Sequence, residues 1–483
     1  MLYIYNSIGR RKEKFVPIIE GEVSLYVCGM TVYDLCHIGH ARILIFFDIV
    51  TRWFEASGFN VKYIRNITDV DDKIILKSAE KGVSVEKLTT QFIDAMHKDE
   101  RNLGVSSPTH EPRASEHINE MLDLIKKLLN SGHAYVAGAD VNYAVRSFED
   151  YGKLSGKSID QLQAGKRVEI DGSKKDPLDF VLWKGKKPDE PNDVAWESPF
   201  GKGRPGWHIE CSAMSNTFLG KKFDIHGGGI DLQFPHHENE IAQSEAGYLG
   251  AKGESHVNFW MHVGFVTIED EKMSKSTGNT TTIENILSIV NPEVLRYFLI
   301  RGHYRSPLNY SISLLNDAKA ALCKLYELLD FLGETEAVVA SQAKLCIREM
   351  MNSKNEYVVK FREAMSDDFN TPKALSIMFV FGKRIKEIFD KNNKGHLESE
   401  IKSFRGMGLC LGILNRSLKE VIDKKSLRNL SISKVEIEEL IVKRDQAKKQ
   451  KNYSLADEIR KELKEKGIDL RDSPQGTSWQ TCN

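Results

Sequence analysis

Between residues 23 and 64 the chain alternates in a way that few folds accommodate. Val23 to Val27 is a short apolar, β-prone run, broken by Gly29, Thr31 and Asp34. A helical pattern opens near His37, continues through Ala41-Arg42-Ile43-Leu44-Ile45-Phe46-Phe47 to Trp53-Phe54, and stops at Ser57-Gly58. Gly58 suits the left-handed turn that ends many helices. Val61 to Ile64 then reads as a second strand. Strand, helix and strand in so short a span form a βαβ unit, which requires a parallel sheet covered by helices.

The remaining pattern sets the organisation. At 483 residues the chain has length for roughly two to four domains. Residues 113–131 predict an amphipathic helix on Ile118, Met121, Leu122, Ile125, Leu128 and Leu129. Val141, Tyr143 and Val145 alternate after a turn, and Trp183, Pro188, Pro191, Trp196 and Pro205 accumulate beyond them, as in a mixed insertion. A second α/β half resumes near Phe223 and exits at Gly227-Gly228-Gly229. From about 315 the pattern is almost wholly helical, with Val435 to Leu463 a charged helical pair. The expected division is 1–112, first half of a Rossmann-type domain; 113–205, insertion; 206–268, second half; 269–314, a loop-bearing connector; 315–420, a helical domain; and 421–483, a small C-terminal region.

Lysine plus arginine and aspartate plus glutamate both number 68, a formal difference of zero. Attraction to nucleic acid must then come from a local basic patch. No apolar run approaches the roughly 20 residues that cross a bilayer. The opening MLYIYNSIGRRKEKF carries its charges after its apolar stretch, the wrong order for a signal peptide. Seven scattered cysteines make no secreted disulfide framework. The expectation is a cytoplasmic protein in a reducing compartment, whose special cysteines act as ligands or nucleophiles.

Four constellations carry chemistry. His37-Ile38-Gly39-His40 stands where strand turns into helix, amid free backbone N–H groups and the positive helix end, which favour phosphate. Two imidazoles there can donate to a phosphorus centre gathering negative charge, and Gly39 lets a flat base lie against the backbone. The same spacing also suits two solvent-facing histidines. Lys272-Met273-Ser274-Lys275-Ser276 reads as a clamp for polyphosphate or as an ordinary solvated loop. His236 and Glu240, four apart after Pro235, share one helix face, and with Cys28 and Cys211 would make a sensible zinc set. Two core cysteines and a surface helix are the plainer alternative. Gly229 and Asp231 close the second half, where a carboxylate can take ribose hydroxyls or simply cap a helix.

Together these residues resemble the class I aminoacyl-tRNA synthetases, whose two signatures match His37–His40 and Lys272–Ser276 in order. Within the class the chain is similar to the cysteinyl-tRNA synthetase family. The likeness rests on the stretches Tyr26 to Asp34, Asn66 to Lys73, Gly203 to Met214, Asp224 to Gly229, His236 to Glu240 and Leu455 to Arg460, and runs over nearly the whole chain. The resemblance implies zinc ligands at Cys28, Cys211, His236 and Glu240, with one Zn2+ per subunit. It implies ATP contacts at His37, Gly39, His40, Gly229, Asp231 and Lys275, with His37, His40, Lys272 and Lys275 serving catalysis. Gly29, Thr31, Thr68 and Trp207 would line the aminoacyl-adenylate pocket. Phe200 and Thr277 depart from the family's usual Trp and Leu.

The implied activity is ATP-dependent ligation of L-cysteine to tRNA(Cys), with Mg2+ accompanying ATP and zinc selecting the thiolate. Residues 269–314 would contact the acceptor stem, and the helical C-terminal parts would read the anticodon. Lys443, Arg444, Lys448, Lys449 and Lys451 supply a basic run there, which suits a phosphate contact or, as such runs more commonly do, forms a solvated helix face. A monomer is implied, and no membrane association. The alternative is a paralogous ligase that passes activated cysteine to an amino sugar of a thiol cofactor; the residues beyond the catalytic part argue against it. A non-catalytic RNA-binding relative would have no use for both signatures and four metal ligands.

Overall fold

The computed structural model describes residues 1–159, 161, 174–188, 190–191, 194–250, 253–268, 271–272, 281–390, 397–422, 434–449, 452–465, 468–473 and 476–481. The chain divides into two compact units: Met1–Glu284 with Pro292–Leu418, and Asn285–Asn291 with Lys419–Asn483.

The first unit opens with an antiparallel hairpin, β1 (Tyr3–Asn6) and β2 (Arg11–Lys14). β3 (Glu22–Val27) leads into the helix Ile38–Ala56 and back to β4 (Asn60–Arg65), parallel to β3 from Glu22 opposite Asn60 to Val27 opposite Arg65. The βαβ unit is thus present, with Gly58 at φ 93° just past the helix. The insertion carries an antiparallel sheet of β5 (Ala134–Ala137), β6 (Asp140–Tyr143), β7 (Phe180–Gly185) and β8 (Gly203–Pro205), in that order. β9 (Phe223–Gly229) and β10 (Val257–Val263) complete the main sheet, whose order β10-β9-β3-β4 is parallel throughout. β11 (Val266–Ile268), β12 (Glu271–Lys272) and β13 (Leu308–Tyr310) follow as a small three-stranded sheet.

The helix Ile38–Ala56 is buried nearly all round, including Arg42 and Asp48, as a helix caught between a sheet and further helices must be. Its Phe46 stacks on Tyr304 with ring centroids 4.0 Å apart. Arg42 donates to four carbonyl oxygens, Gly264 at 2.9 Å, Phe265 at 2.7 Å, His303 at 3.0 Å and Ser306 at 2.6 Å. Burial lowers its pKa to about 10. One turn and a half along, Asp48 accepts from Arg52 at 2.7 Å and from the Ser106 amide at 2.9 Å, and pairs with the buried Arg296.

Beyond residue 311 the first unit is a helical bundle: Ile312–Phe331, Ala340–Asn352, Glu356–Met365, Thr371–Asp390 and Leu397–Cys410. The second unit holds the expected charged pair as Lys434–Lys449 and Tyr453–Glu465, followed by an antiparallel pair, β14 (Ile468–Ser473) and β15 (Gly476–Thr481). That pair was not anticipated in a region read as helical. Two boundaries also differ. The helix expected from 113 begins at Ile118, because Asp69 captures Ser115 through its amide (2.9 Å) and hydroxyl (2.6 Å). β6 ends before Val145, whose N–H is taken by Asp179 at 2.9 Å.

β9 is buried at every residue, and a Cβ at Gly227 would collide with the Phe47 ring. The glycine is needed for helix-on-sheet packing. Gly227→Ala is therefore expected to destabilise the protein by about 1–3 kcal/mol, read as a lowered thermal midpoint, with partial recovery when Phe47 is also shortened to Leu.

Candidate active site and metal centre

In an open parallel sheet the crevice lies beyond the carboxyl ends of adjacent strands from which the chain departs in opposite directions. Here those strands are β3 and β9. A pocket of about 260 Å³ opens there, lined among others by Gly29, Thr31, His37, His40, Trp207 and Asp231. Gly29 is required by close approach: a Cβ on it would run into the Asn66 carbonyl.

Cys28 is the first residue past β3, and its N–H extends the ladder to the Gly227 carbonyl at 3.0 Å. Cys211 comes from the helix Trp207–Leu219, which packs beside the sheet. His236 lies in a wide helical turn, Gln233–His237, and Glu240 in the helix Glu238–Ser244 that continues it. The four ligand atoms lie within 4.8 Å of one another and all four residues are buried. The sulfurs are 3.7 Å apart, Cys28 Sγ is 3.5 Å from Glu240 Oε1, and His236 Nε2 is 3.1 Å from the same oxygen.

These separations can be compared with a zinc tetrahedron. Two thiolates about 2.3 Å from one tetrahedral ion lie about 3.8 Å apart, and nitrogen and oxygen ligands about 3.4 Å apart. The donors present therefore fit zinc in both type and spacing. A second set, Cys28, His226, His237 and Glu240, also lies within that reach. It forgoes one thiol, and the Nε2 of His226 is taken by Glu240 Oε2 at 2.9 Å; His237, joined to His262 through Nδ1 at 2.9 Å, holds its Nε2 3.3 Å from Cys28 Sγ. The two-thiol set is the better match to zinc of the two.

His236 and Glu240 are each held from behind by a further histidine. His208 Nδ1 lies 2.9 Å from His236 Nδ1, leaving Nε2 for the centre. The Trp207 ring sits 4.2 Å from that of His236 and lines the pocket together with Cys28. Burial pushes the Cys28 and Cys211 thiols upward and holds His236 and His237 well below the usual imidazole range. His262 is lowered to about 3, again by burial.

The paired histidines occupy the helix start. His37 caps Ile38–Ala56, its Nδ1 accepting from the Gly39 amide at 3.1 Å. His40 Nδ1 accepts from the His37 amide at 3.2 Å, and the rings stack 3.7 Å apart. With both Nδ1 atoms accepting, each neutral ring carries its proton on Nε2 and presents a donor. The Lys272 side chain and all of Lys275 lie outside the described residues. The chain just beyond them is nonetheless pinned to the helix start, the Ile38 N–H donating to Thr281 at 3.1 Å and the Ile283 N–H to Cys36 at 2.9 Å. Gly229 and Asp231 line the pocket with the histidines.

Thr68 stands behind the lining. Its backbone bridges Thr31, and its hydroxyl donates to Glu210 at 2.8 Å while accepting from Asn66 at 3.3 Å. Glu210 is fully buried, which pushes its carboxyl well above the usual range. In the second unit, Arg444 is buried, so it does not share the exposed face of Lys443; Lys449 and Lys451 lie outside the described side chains.

Sequence reasoning did not single out His208, His226, His237 or His262 for the support they give. A signal existed in His226, a polar residue inside the apolar strand Phe223–Gly229. Asn66 and Glu210 carried none.

The family described as tRNA synthetases class I (C) catalytic domain matches residues 14–320, and the DALR domain matches 360–415. A cysteine–tRNA ligase of Aromatoleum aromaticum is 51% identical over 481 residues, 99% of each chain, and one from Nitrosomonas europaea is equally similar. Among solved structures, Mycobacterium tuberculosis methionyl-tRNA synthetase in complex with methionyl-adenylate superposes with TM-score 0.57 at 14% identity, covering 86% of this chain and 94% of that one. This last likeness concerns the fold.

Because His208 fixes the outer nitrogen of His236, His208→Ala is expected to weaken zinc binding roughly 10- to 100-fold. Competition with a chromogenic chelator measures it.

Proposed function

The chain belongs to the cysteine–tRNA ligase family of class I synthetases, and from that premise we propose that it activates L-cysteine with Mg-ATP and passes the cysteinyl group to the 3′ end of tRNA(Cys). The observation that carries this reading is the buried set Cys28, Cys211, His236 and Glu240, whose Cys28 lines the same pocket as His37 and His40.

The first step joins the cysteine carboxylate to the α-phosphorus and expels pyrophosphate. Neither step needs a protein nucleophile. Holding two reactants in line can be worth roughly 7–11 kcal/mol. Gly29, Thr31 and Trp207 hold the amino acid, with Thr68 behind them; Gly39, Gly229 and Asp231 hold the nucleoside. The Nε2–H groups of His37 and His40 meet the phosphate oxygens as charge builds, supported by the helix N-terminus. Lys272 and Lys275 take the leaving pyrophosphate. Water is kept from the metal centre by the burial of all four ligands.

Selection against serine is the harder task, since an apolar pocket rejects such a near-isostere by only about a hundredfold. Zinc, when held by Cys28, Cys211, His236 and Glu240, supplies a soft Lewis acid that favours a thiolate over a hydroxyl. The second unit, with Lys443 and Lys448 on one helix, serves the anticodon end of the RNA.

The direct test is charging of bulk tRNA with labelled cysteine, ATP and magnesium, beside serine and beside chelator-stripped protein. Acid-precipitable cysteine that is lost on stripping, with serine silent, is the expected result. Cysteine-dependent ATP–pyrophosphate exchange without charging would move the acceptor to an amino sugar. Two variants separate roles. Cys211→Ser should lower cysteine-dependent exchange by at least about a hundredfold with little change in thermal midpoint; an unfolded variant would count against a substrate-facing metal. His37→Asn keeps a competent helix cap, so stability should hold while exchange falls by about 10²–10³.

A further inference from the structure

Tyr26 stands two residues before Cys28, on the same face of β3 and opposite His226 of β9. It is fully buried in the cluster that also holds Cys28 and Cys211, its ring 5.1 Å from that of His226. Among the described residues its hydroxyl meets no partner at full hydrogen-bond geometry. The side chain it approaches closely enough for a weak bond is Cys211, and Cys28 and Glu240 also bear on it. Burial, and then Cys211, push its pKa well above the usual phenol range, so it remains a neutral O–H donor. A buried hydroxyl without a full bond costs a fold stability, and native interiors keep few of them without a use.

We propose that Tyr26 is a positioning residue for the metal centre, its O–H donating to the Cys211 sulfur once that sulfur is a zinc-bound thiolate. This role rests on the metal centre proposed above. The charges of the ligands point to it. Cys28, Cys211 and Glu240 set three negative charges against a zinc dication, leaving an excess of one, and a substrate thiolate adds another. Negative charge in a buried site is tolerated only where hydrogen-bond donors meet it. Glu240 has such a donor in His226, whose Nε2 is 2.9 Å from Oε2, and Cys28 has one in His237, whose Nε2 is 3.3 Å from the sulfur. Cys211 has Asn66 Oδ1 at 3.7 Å, but that atom is an acceptor, already taking the Gly29 amide at 2.8 Å. A thiol can donate to it; a thiolate cannot. With the Cys28 proton also gone, Tyr26 is the donor left for Cys211 among the described residues. Its hydroxyl draws charge from the sulfur and leaves the zinc acidic enough to take a third thiolate, without itself touching the substrate.

The test compares the full chain with its Tyr26→Phe variant, which removes one oxygen and keeps the ring. Stripped of metal by a chelator, the variant should melt at the parental midpoint or above it, because the hydroxyl lost there had no full bond. With zinc restored, its rise in midpoint should be smaller than the parent's. Competition with a chromogenic chelator should show zinc held roughly 10- to 100-fold less tightly. Replacing zinc with cobalt(II) reports the bond itself. A thiolate relieved of a hydrogen bond gives up an electron more readily, so the sulfur-to-cobalt charge-transfer band should move to longer wavelength. Parental zinc affinity together with a parental cobalt spectrum overturns the proposal. So does a midpoint lowered equally with and without metal, or a variant that does not fold, either of which assigns the hydroxyl to the core. The metal centre has its own control in Cys211→Ser. If that variant holds zinc as tightly as the parent, Cys211 is not a ligand, and both that centre and the role of Tyr26 fall; if it loses zinc while Tyr26→Phe matches the parent, only Tyr26 is struck out.

Discussion

The site depends on one adjacency, the pairing of β3 with β9 across some two hundred residues of sequence. Leu25, Tyr26 and Val27 lie opposite Ile225, His226 and Gly227, and the Cys28 amide adds one more bond to Gly227. Two parallel strands can be brought together only by burying what joins them, and the intervening chain supplies the helix that carries Cys211, while His236 and Glu240 follow on from the end of β9. Loss of that register would part Cys28 from its fellow ligands and the histidine-capped helix from Gly229. Small residues make the adjacency possible. Gly227 admits Phe47, and Gly29 admits the Asn66 backbone; neither place has room for a methyl group.

A second layer of order comes from buried charge. Arg42 gathers the carbonyls of residues 264, 265, 303 and 306, joining the helix capped by His37 to segments on either side of residues 272–276 in the sequence. Asp48 and Arg296 tie the same helix to the one at Pro292–Ile300, and Arg296 reaches the Leu411 carbonyl at 3.1 Å in the bundle. Buried ion pairs add little net stability, since desolvation offsets most of the attraction. What they contribute here is registry. The helix start that presents His37 and His40 is fixed against both the sheet and the bundle, as preorganised electrostatic stabilisation of a phosphate requires.

Much of this was legible in the sequence because the local signals agreed with the final packing. The run from Val23 to Ile64 has period, caps and length all consistent with one βαβ unit, and the four residues that the resemblance named as ligands lie together in the structure. What failed had a tertiary cause. Residues 113–117 have helical composition, yet Asp69 holds Ser115 out of the helix. The pair β14 and β15 was hidden in a charged tail, although Ser473-Pro474-Gln475-Gly476 between two short runs is a turn signal. The supporting histidines were illegible for a deeper reason. A second shell is defined by which nitrogen faces which neighbour, and sequence spacing carries no such information.

The glycines after β9 show how far one residue type can mislead. Gly227, Gly228 and Gly229 read as room for a ligand, but they do three separate things. Gly227 yields to Phe47, a Cβ at Gly228 would reach His237 at 3.0 Å, and Gly229 lies against Asp231 at the pocket. Only the last lines the pocket. The first two let a helix and a histidine shell close down on the sheet, so that ligands from Cys28 to Glu240 meet in a dry centre. A thiol-selecting metal works only if water and competing hydroxyls are kept from it. On the proposed thiol-selecting role of that centre, the tight packing at Gly227 and Gly228 contributes to telling cysteine from serine, although neither glycine lines the pocket.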